Sequence, residues 1–167
     1  MAGKAIILVG ATGSGKSTIV KRLLANVHEE RICVYDVNAE YGLSEPGKPL
    51  PDIQDFLDGV LPLYDRVLVF EEATVFFSNR GRSDKMVKLL VAKRHNRNTV
   101  MLCFHSIRAI PLYIYDLVNY VIVLKTNDPP ELVKSKHEVL YAAYEKVRAM
   151  PPTAYPDISM EIVKILN

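Results

Sequence analysis

The 167-residue sequence has no large surplus of charge of either sign. Its 21 lysines and arginines face 19 aspartates and glutamates, a net charge of +2. That excludes a polybasic arm coating nucleic acid without specificity, while leaving room for a local basic patch. No apolar run approaches the ~18 residues needed to span a bilayer. Lys4 followed by Ile6-Ile7-Leu8-Val9 faintly mimics a signal peptide. The run is too short, however, and it leads straight into a glycine-rich loop with no small-residue cleavage site. Cysteine is scarce as well. Cys33 and Cys103 both lie in apolar, strand-like stretches and are expected as buried free thiols. A disulfide framework or a zinc site needs more cysteines or different spacing, so a reduced, cytoplasmic setting is expected. Internal repeats and low-complexity segments are missing too.

What remains is the composition of a soluble globular protein, 49% hydrophobic and 24% charged. The length suits one domain, burying ~70% of its unfolded surface. Strand-like and helix-like stretches alternate. Short apolar runs predict buried strands at 5–9, 32–37, 66–70, 99–104 and 120–124. Helical spacing predicts helices at 17–27, 53–61, 84–96, 110–117 and 137–149. Residues 40–51, rich in glycine and proline, read as a loop. Pro129-Pro130 is read as a break, and 160–166 as a final element of open type. The expectation is an α/β fold: a three-layer sandwich around a mostly parallel sheet, with right-handed crossovers. A core at 1–128 would carry a C-terminal extension, 129–167, packed on the same domain.

Gly10-Ala11-Thr12-Gly13-Ser14-Gly15-Lys16-Ser17 matches the phosphate-loop pattern G-x-x-x-x-G-K-[ST] at every fixed position, after a strand and before a helix. The glycines let successive amides turn inward, and with the helix N-terminus they make an anion cradle. Lys16 offers a cation to the outer phosphates, Ser17 a hydroxyl to magnesium, and Thr18 a contact to the inner phosphate. The pattern identifies nucleoside triphosphate binding but not the reaction.

The run Val67 to Phe70 ends in Glu71-Glu72. Carboxylates at the C-terminal end of such a strand lie beside the phosphate loop. Glu71 can hold magnesium through water, and Glu72 can polarise an attacking water. Alternatively, Glu72 begins the next helix as a solvated charge. The fourth strand ends at His105-Ser106. If that strand lies between the first and third, His105, or more weakly Ser106, faces the γ-phosphate as a sensor. The competing reading is a strand-end histidine capping the next helix. Arginines able to stabilise phosphoryl charge are Arg80, Arg82, Arg94, Arg97 and Arg108. The cluster Lys93-Arg94-His95-Asn96-Arg97 precedes the fourth strand, on the edge opposite the phosphates. A residue there reaches a neighbour in a ring rather than its own nucleotide.

Together these residues resemble the FtsK/HerA superfamily of ring-forming DNA-pumping ATPases, particularly its small viral genome-packaging members. The resemblance runs from Ile6 to about Asp128. It rests on the phosphate loop, on Val34-Tyr35-Asp36-Val-Asn-Ala-Glu40-Tyr41 (similar to the family's strand-D-x-x-x-E-Y segment, otherwise an Asp/Asn turn), on Phe70-Glu71-Glu72, on Arg94 and on His105. Two positions depart from the family pattern. Glu71 stands for an aspartate and lengthens the reach to magnesium, and His105 stands for the usual sensor glutamine. The resemblance implies the catalytic-Glu, additional-strand form of the P-loop NTPase fold. It also implies ATP and Mg2+ as cofactors, Lys16, Glu72, Arg94 and His105 as catalytic residues, and a homo-oligomeric ring, hexamer or pentamer, pumping double-stranded DNA. Arg94 would then act in trans, Arg80 and Arg82 would be pore contacts, and a capsid or membrane-portal protein would be a further partner. The alternatives are a small-molecule P-loop kinase, against which stands the lack of an acceptor-binding segment after the second strand, and a non-hydrolysing nucleotide-dependent switch.

Overall fold

Why the apolar runs become strands is visible in how they are buried. The strands β1 (Ala5–Val9), β3 (Val67–Phe70) and β4 (Thr99–Phe104) are buried at every residue. This is the signature of a sheet covered on both faces. The computed structural model describes residues 3–42, 51–77, 84–151 and 159–165. Arg80, Arg82 and most of the 40–51 loop lie outside them.

With β2 (Ile32–Tyr35), β5 (Tyr120–Leu124) and β6 (Met160–Lys164), the strand order is β2-β3-β4-β1-β5-β6. All neighbouring pairs are parallel except β5–β6. Alternate side chains divide the core into two. Ile6, Leu8, Val69, Met101 and Ile122 pack with Ile19, Val20 and Leu24 of helix α1 (Lys16–Leu24). Ile7, Val9, Phe70, Leu102 and Val121 pack with the opposite layer. That layer draws on α2 (Ile53–Val60), α3 (Asp84–Ala92), α4 (Pro130–Lys136) and α5 (Glu138–Ala149). The result is a three-layer α/β sandwich, as the alternating pattern implies.

Several elements differ from the sequence expectation. The helix expected over 110–117 is instead two 3₁₀ turns, Ile107–Ala109 and Leu112–Asp116. Pro111 forces Ile110 into an extended conformation (φ −79°, ψ 117°), which no helix can cross. Conversely, the Pro129-Pro130 break starts a helix, because Pro130 occupies a first-turn position of α4 whose missing N–H costs nothing. The last element is an antiparallel edge strand, its residues alternating between exposed and half-buried. Helix α3 stops at Ala92, and Arg97 adopts a left-handed conformation (φ 57°) before β4 begins.

Candidate functional site

The strand order decides what meets at the sheet's C-terminal edge. β4 lies between β1 and β3, with Val9 level with Phe104 and Phe70 level with Leu102. Gly10, His105 and Glu71-Glu72, each following directly on a strand, are thereby brought together.

Gly10 must be glycine because a Cβ there would sit 2.4 Å from Ser14 Oγ and 2.8 Å from the Leu124 Cβ. Gly15 takes up φ 97° and precedes α1 with no side-chain cap, leaving the first-turn amides open to an anion. The Gly10 and Ala11 amides are spent on the neighbouring strands, donating to Phe104 O (3.1 Å) and Lys125 O (2.8 Å), and so anchor the loop. Ser14 Oγ is buried beneath it. Thr12, Gly13, Gly15, Lys16, Ser17 and Thr18 line a cavity of about 270 Å³, joined by Asn38, Glu40, Glu71 and His105.

Lys16 is buried, and its ammonium donates to Gly10 O (2.7 Å) and Ala11 O (3.1 Å) and lies 3.3 Å from His105 Nδ1. Burial pushes its pKa below the ordinary lysine range, opposed by the negative groups around it, Glu71 and Glu72 among them. An ammonium has no lone pair, so His105 Nδ1 is the acceptor and Nε2 carries the ring proton. That Nε2 lies 2.5 Å from Glu72 Oε2. Lys16, His105 and Glu72 therefore form one chain of polar contacts. Glu72 is not the free solvated charge of the alternative reading: it precedes a 3₁₀ turn, Ala73–Phe76, makes no cap bond to it, and turns to His105 instead. Ser106 precedes the Ile107–Ala109 turn and is not part of the cavity lining.

Glu71 is buried, with Oε1 accepting from Ser17 Oγ (3.1 Å) and Oε2 from the Tyr41 hydroxyl. Burial first, then the hydrogen bond to Glu71, drives the Tyr41 pKa far above its ordinary value, so it stays a donor. The Ser17 hydroxyl and the Glu71 carboxylate are adjacent hard oxygen donors, a pair that suits magnesium. Among the described residues no group of three His, Cys, Asp or Glu could hold a metal by itself. The donor set thus fits a cation arriving with a nucleotide's phosphates. Cys103 is buried behind this site, and its thiol is pushed well above the ordinary range by burial, which keeps it inert.

Arg94 sits apart from all of this. It is exposed just before β4, and its Cα would lie 3.2 Å from a Cβ on Gly3 at the start of β1. The six residues of β4 separate it from the phosphate loop by about 20 Å. Its loop is pinned by buried asparagines: Asn98 accepts from Arg66 N–H (2.9 Å) and donates to Leu63 O (2.8 Å), while Asn96 donates to Leu61 O (3.3 Å). Arg97 pairs with Asp65 (2.9 Å).

The family model described as "Helicase HerA, central domain" matches residues 2–164. The chain belongs to this family. It is a HerA/FtsK-like P-loop ATPase in fold and motif. Among solved structures, this HerA-family chain is similar to B204, the DNA-packaging ATPase of Sulfolobus turreted icosahedral virus, with 17% identity, 99% of each chain covered and a TM-score of 0.72. The genome packaging NTPase B204 of Sulfolobus turreted icosahedral virus 2, in complex with AMPPCP, gives 18% identity, 99% and 100% coverage and a TM-score of 0.73. The N-terminal domain of zonular occludens toxin from Neisseria meningitidis gives 13% identity, 76% and 79% coverage and a TM-score of 0.53. At such identities the likeness is one of fold. No curated protein sequence matches the chain significantly.

Asn38, Glu40 and Tyr41 are site residues that sequence reasoning passed over, all three quoted only as part of a motif. Nothing in local sequence pairs Tyr41 with Glu71, thirty residues away. The signal was topological, since β2 and β3 are parallel neighbours whose C-terminal ends coincide.

Proposed function

We propose that this HerA-family chain is the ATP-hydrolysing subunit of a ring-shaped motor that moves or packages double-stranded DNA. The observation that carries the reading is the Lys16–His105–Glu72 chain beside the Ser17–Glu71 pair. A kinase excludes water from its phosphate site, whereas here a carboxylate able to activate water, Glu72, is held by His105, which lines the phosphate cavity.

The phosphate-loop amides from Gly13 to Ser17 bind the β- and γ-phosphates, Thr18 contacts the inner phosphate, and the Lys16 ammonium exchanges its two loop carbonyls for phosphate oxygens. Ser17 and, through water, Glu71 would hold magnesium, which would supply charge neutralisation on the phosphates. Glu72 takes a proton from the attacking water on Oε1, the oxygen that His105 does not engage. His105, between Lys16 and Glu72, senses the γ-phosphate, since a phosphate that claims Lys16 alters the histidine's other partner. Arg94, too far from its own site, is supplied to the next subunit's nucleotide. Arg80 and Arg82 are pore contacts to DNA, where each phosphate contact makes binding salt-dependent. The B204 packaging ATPases of similar fold support this placement of the engine.

Steady-state ATP hydrolysis with and without long double-stranded DNA tests it. Several-fold stimulation by DNA is expected, together with a loss of roughly 10²- to 10⁴-fold in Glu72→Gln while ATP binding persists. Turnover indifferent to DNA would remove the motor reading, and near-normal turnover in Glu72→Gln would remove the base.

A further inference from the structure

The His105 side chain is 43% exposed, so packing alone does not fix the ring. Its place depends on the backbone to either side. Before it, β4 is locked into the sheet, with Phe104 O accepting from the Gly10 amide at 3.1 Å. After it the ladder ends: Ser106 is extended and the chain enters the short 3₁₀ turn Ile107–Ala109. Asp128 holds that turn from outside. Its carboxylate is buried, Oδ2 accepting from the Ile107 amide (2.7 Å) and Oδ1 from the Arg108 amide (3.3 Å). Asp128 is itself held, its carbonyl accepting from the buried Tyr144 hydroxyl of α5 at 2.7 Å. Three residues earlier, Lys125 O takes the Ala11 amide of the phosphate loop (2.8 Å), and the Lys125 ammonium donates to Met150 O at the end of α5 (2.7 Å). The segment 125–128 thus bears on the phosphate loop at one end and on the turn after His105 at the other.

We propose that Asp128 is a positioning residue for ATP hydrolysis: by fixing the backbone that follows His105, it keeps the ring between Lys16 and Glu72, and so keeps Glu72 in place to act on water. A carboxylate accepts from two amides at once, and these bonds gain from its charge. An asparagine in its place has one acceptor oxygen, so one of the two amides goes unanswered. The phosphate-loop amides and Lys16 do not depend on these bonds, so the effect falls on turnover rather than on nucleotide binding. The inference rests on reading His105 and Glu72 as parts of a hydrolytic site.

The test is a double-mutant cycle on the full chain, Asp128→Asn with His105→Ala, read by steady-state ATP hydrolysis and by binding of a fluorescent ATP analogue, with the melting midpoint as the check on folding. Asp128→Asn is expected to lose roughly three- to tenfold in kcat, no more than His105→Ala, with analogue binding within about twofold of wild type. In the His105→Ala background the same substitution is expected to cost less than about twofold, because residues acting through one another are not additive. An undiminished kcat in Asp128→Asn, or an equal fold-loss in both backgrounds, would overturn the proposal. Should Asp128→Asn fail to fold, Tyr144→Phe replaces it, removing the donor to the Asp128 carbonyl while leaving the carboxylate. A smaller loss is expected there, again confined to the background that keeps His105; no loss, or the same loss in both, would overturn the proposal. Full turnover in His105→Ala alone would instead remove the role of His105, and this inference with it.

Discussion

Two adjacent carboxylates on one backbone are held differently here because each has its own partners. Glu71 is buried and shared between Ser17 and Tyr41; Glu72 is partly open and turns to an imidazole. His105 can hold it because the ring offers an acceptor on one side and a donor on the other. A glutamine has the same two faculties on one amide group. His105→Gln is therefore expected to keep most turnover, whereas His105→Ala, which takes the imidazole away from Glu72, is expected to lose about tenfold or more in kcat. Steady-state hydrolysis by the two variants decides it: an alanine variant as active as wild type would strip His105 of any role in turnover.

At the scale of elements, legibility followed burial. The strands at 5–9, 99–104 and 120–124 were readable to the residue because continuous apolar runs between turn residues have one stable use. The phosphate loop was legible because its demand is local: Gly13 and Gly15 take up positive φ (77° and 97°), which glycine adopts without strain. Where proline both breaks and starts helices, composition alone was ambiguous, as α4 and the 3₁₀ turns at 107–116 show. Long-range polar pairs were not legible at all. His137, between α4 and α5, is buried with its Nδ1 2.8 Å from the Tyr115 hydroxyl. Nearby, Asp128 accepts from the amides of Ile107 and Arg108 (2.7 and 3.3 Å), tying the segment after His105 to the C-terminal helices. Burial lowers the His137 pKa, with Asp128 raising it and Lys136 lowering it. The folded state thus binds this proton less readily than the unfolded chain, so stability is present at neutral pH and declines as pH falls below the unfolded value near ~6.5. The melting midpoint should drop between pH 7.5 and 5.5, with a ceiling of ~1.4 kcal/mol per pH unit from this one group. His137→Gln should flatten that part of the profile; an equally steep profile in the variant would assign the acid sensitivity elsewhere.

At the scale of the whole molecule, the site is one-sided. Phosphate loop, carboxylates and His105 lie at the C-terminal ends of the strands, and Arg94 lies about 20 Å away at the other end. No rearrangement of side chains within one copy closes that distance. A head-to-tail ring does, because such an interface sets one end of a subunit against the opposite end of the next. The near-neutral charge fits this arrangement as well, since a ring gathers a few basic groups from every copy around one channel. If Arg94 completes a neighbour's site, Arg94→Ala should bind ATP normally and lose on the order of a thousandfold in kcat, the scale of an arginine supplied in trans. Mixing makes the test sharper. Arg94→Ala copies keep Glu72 and Glu72→Gln copies keep Arg94, so an equal mixture of these two inactive variants assembled into common rings should recover about a quarter of the wild-type rate, at the sites where an intact Glu72 faces an intact Arg94. A mixture as inactive as either variant alone would mean that no copy completes another's site, and Arg94 would then be a surface charge on a loop pinned by Asn96 and Asn98.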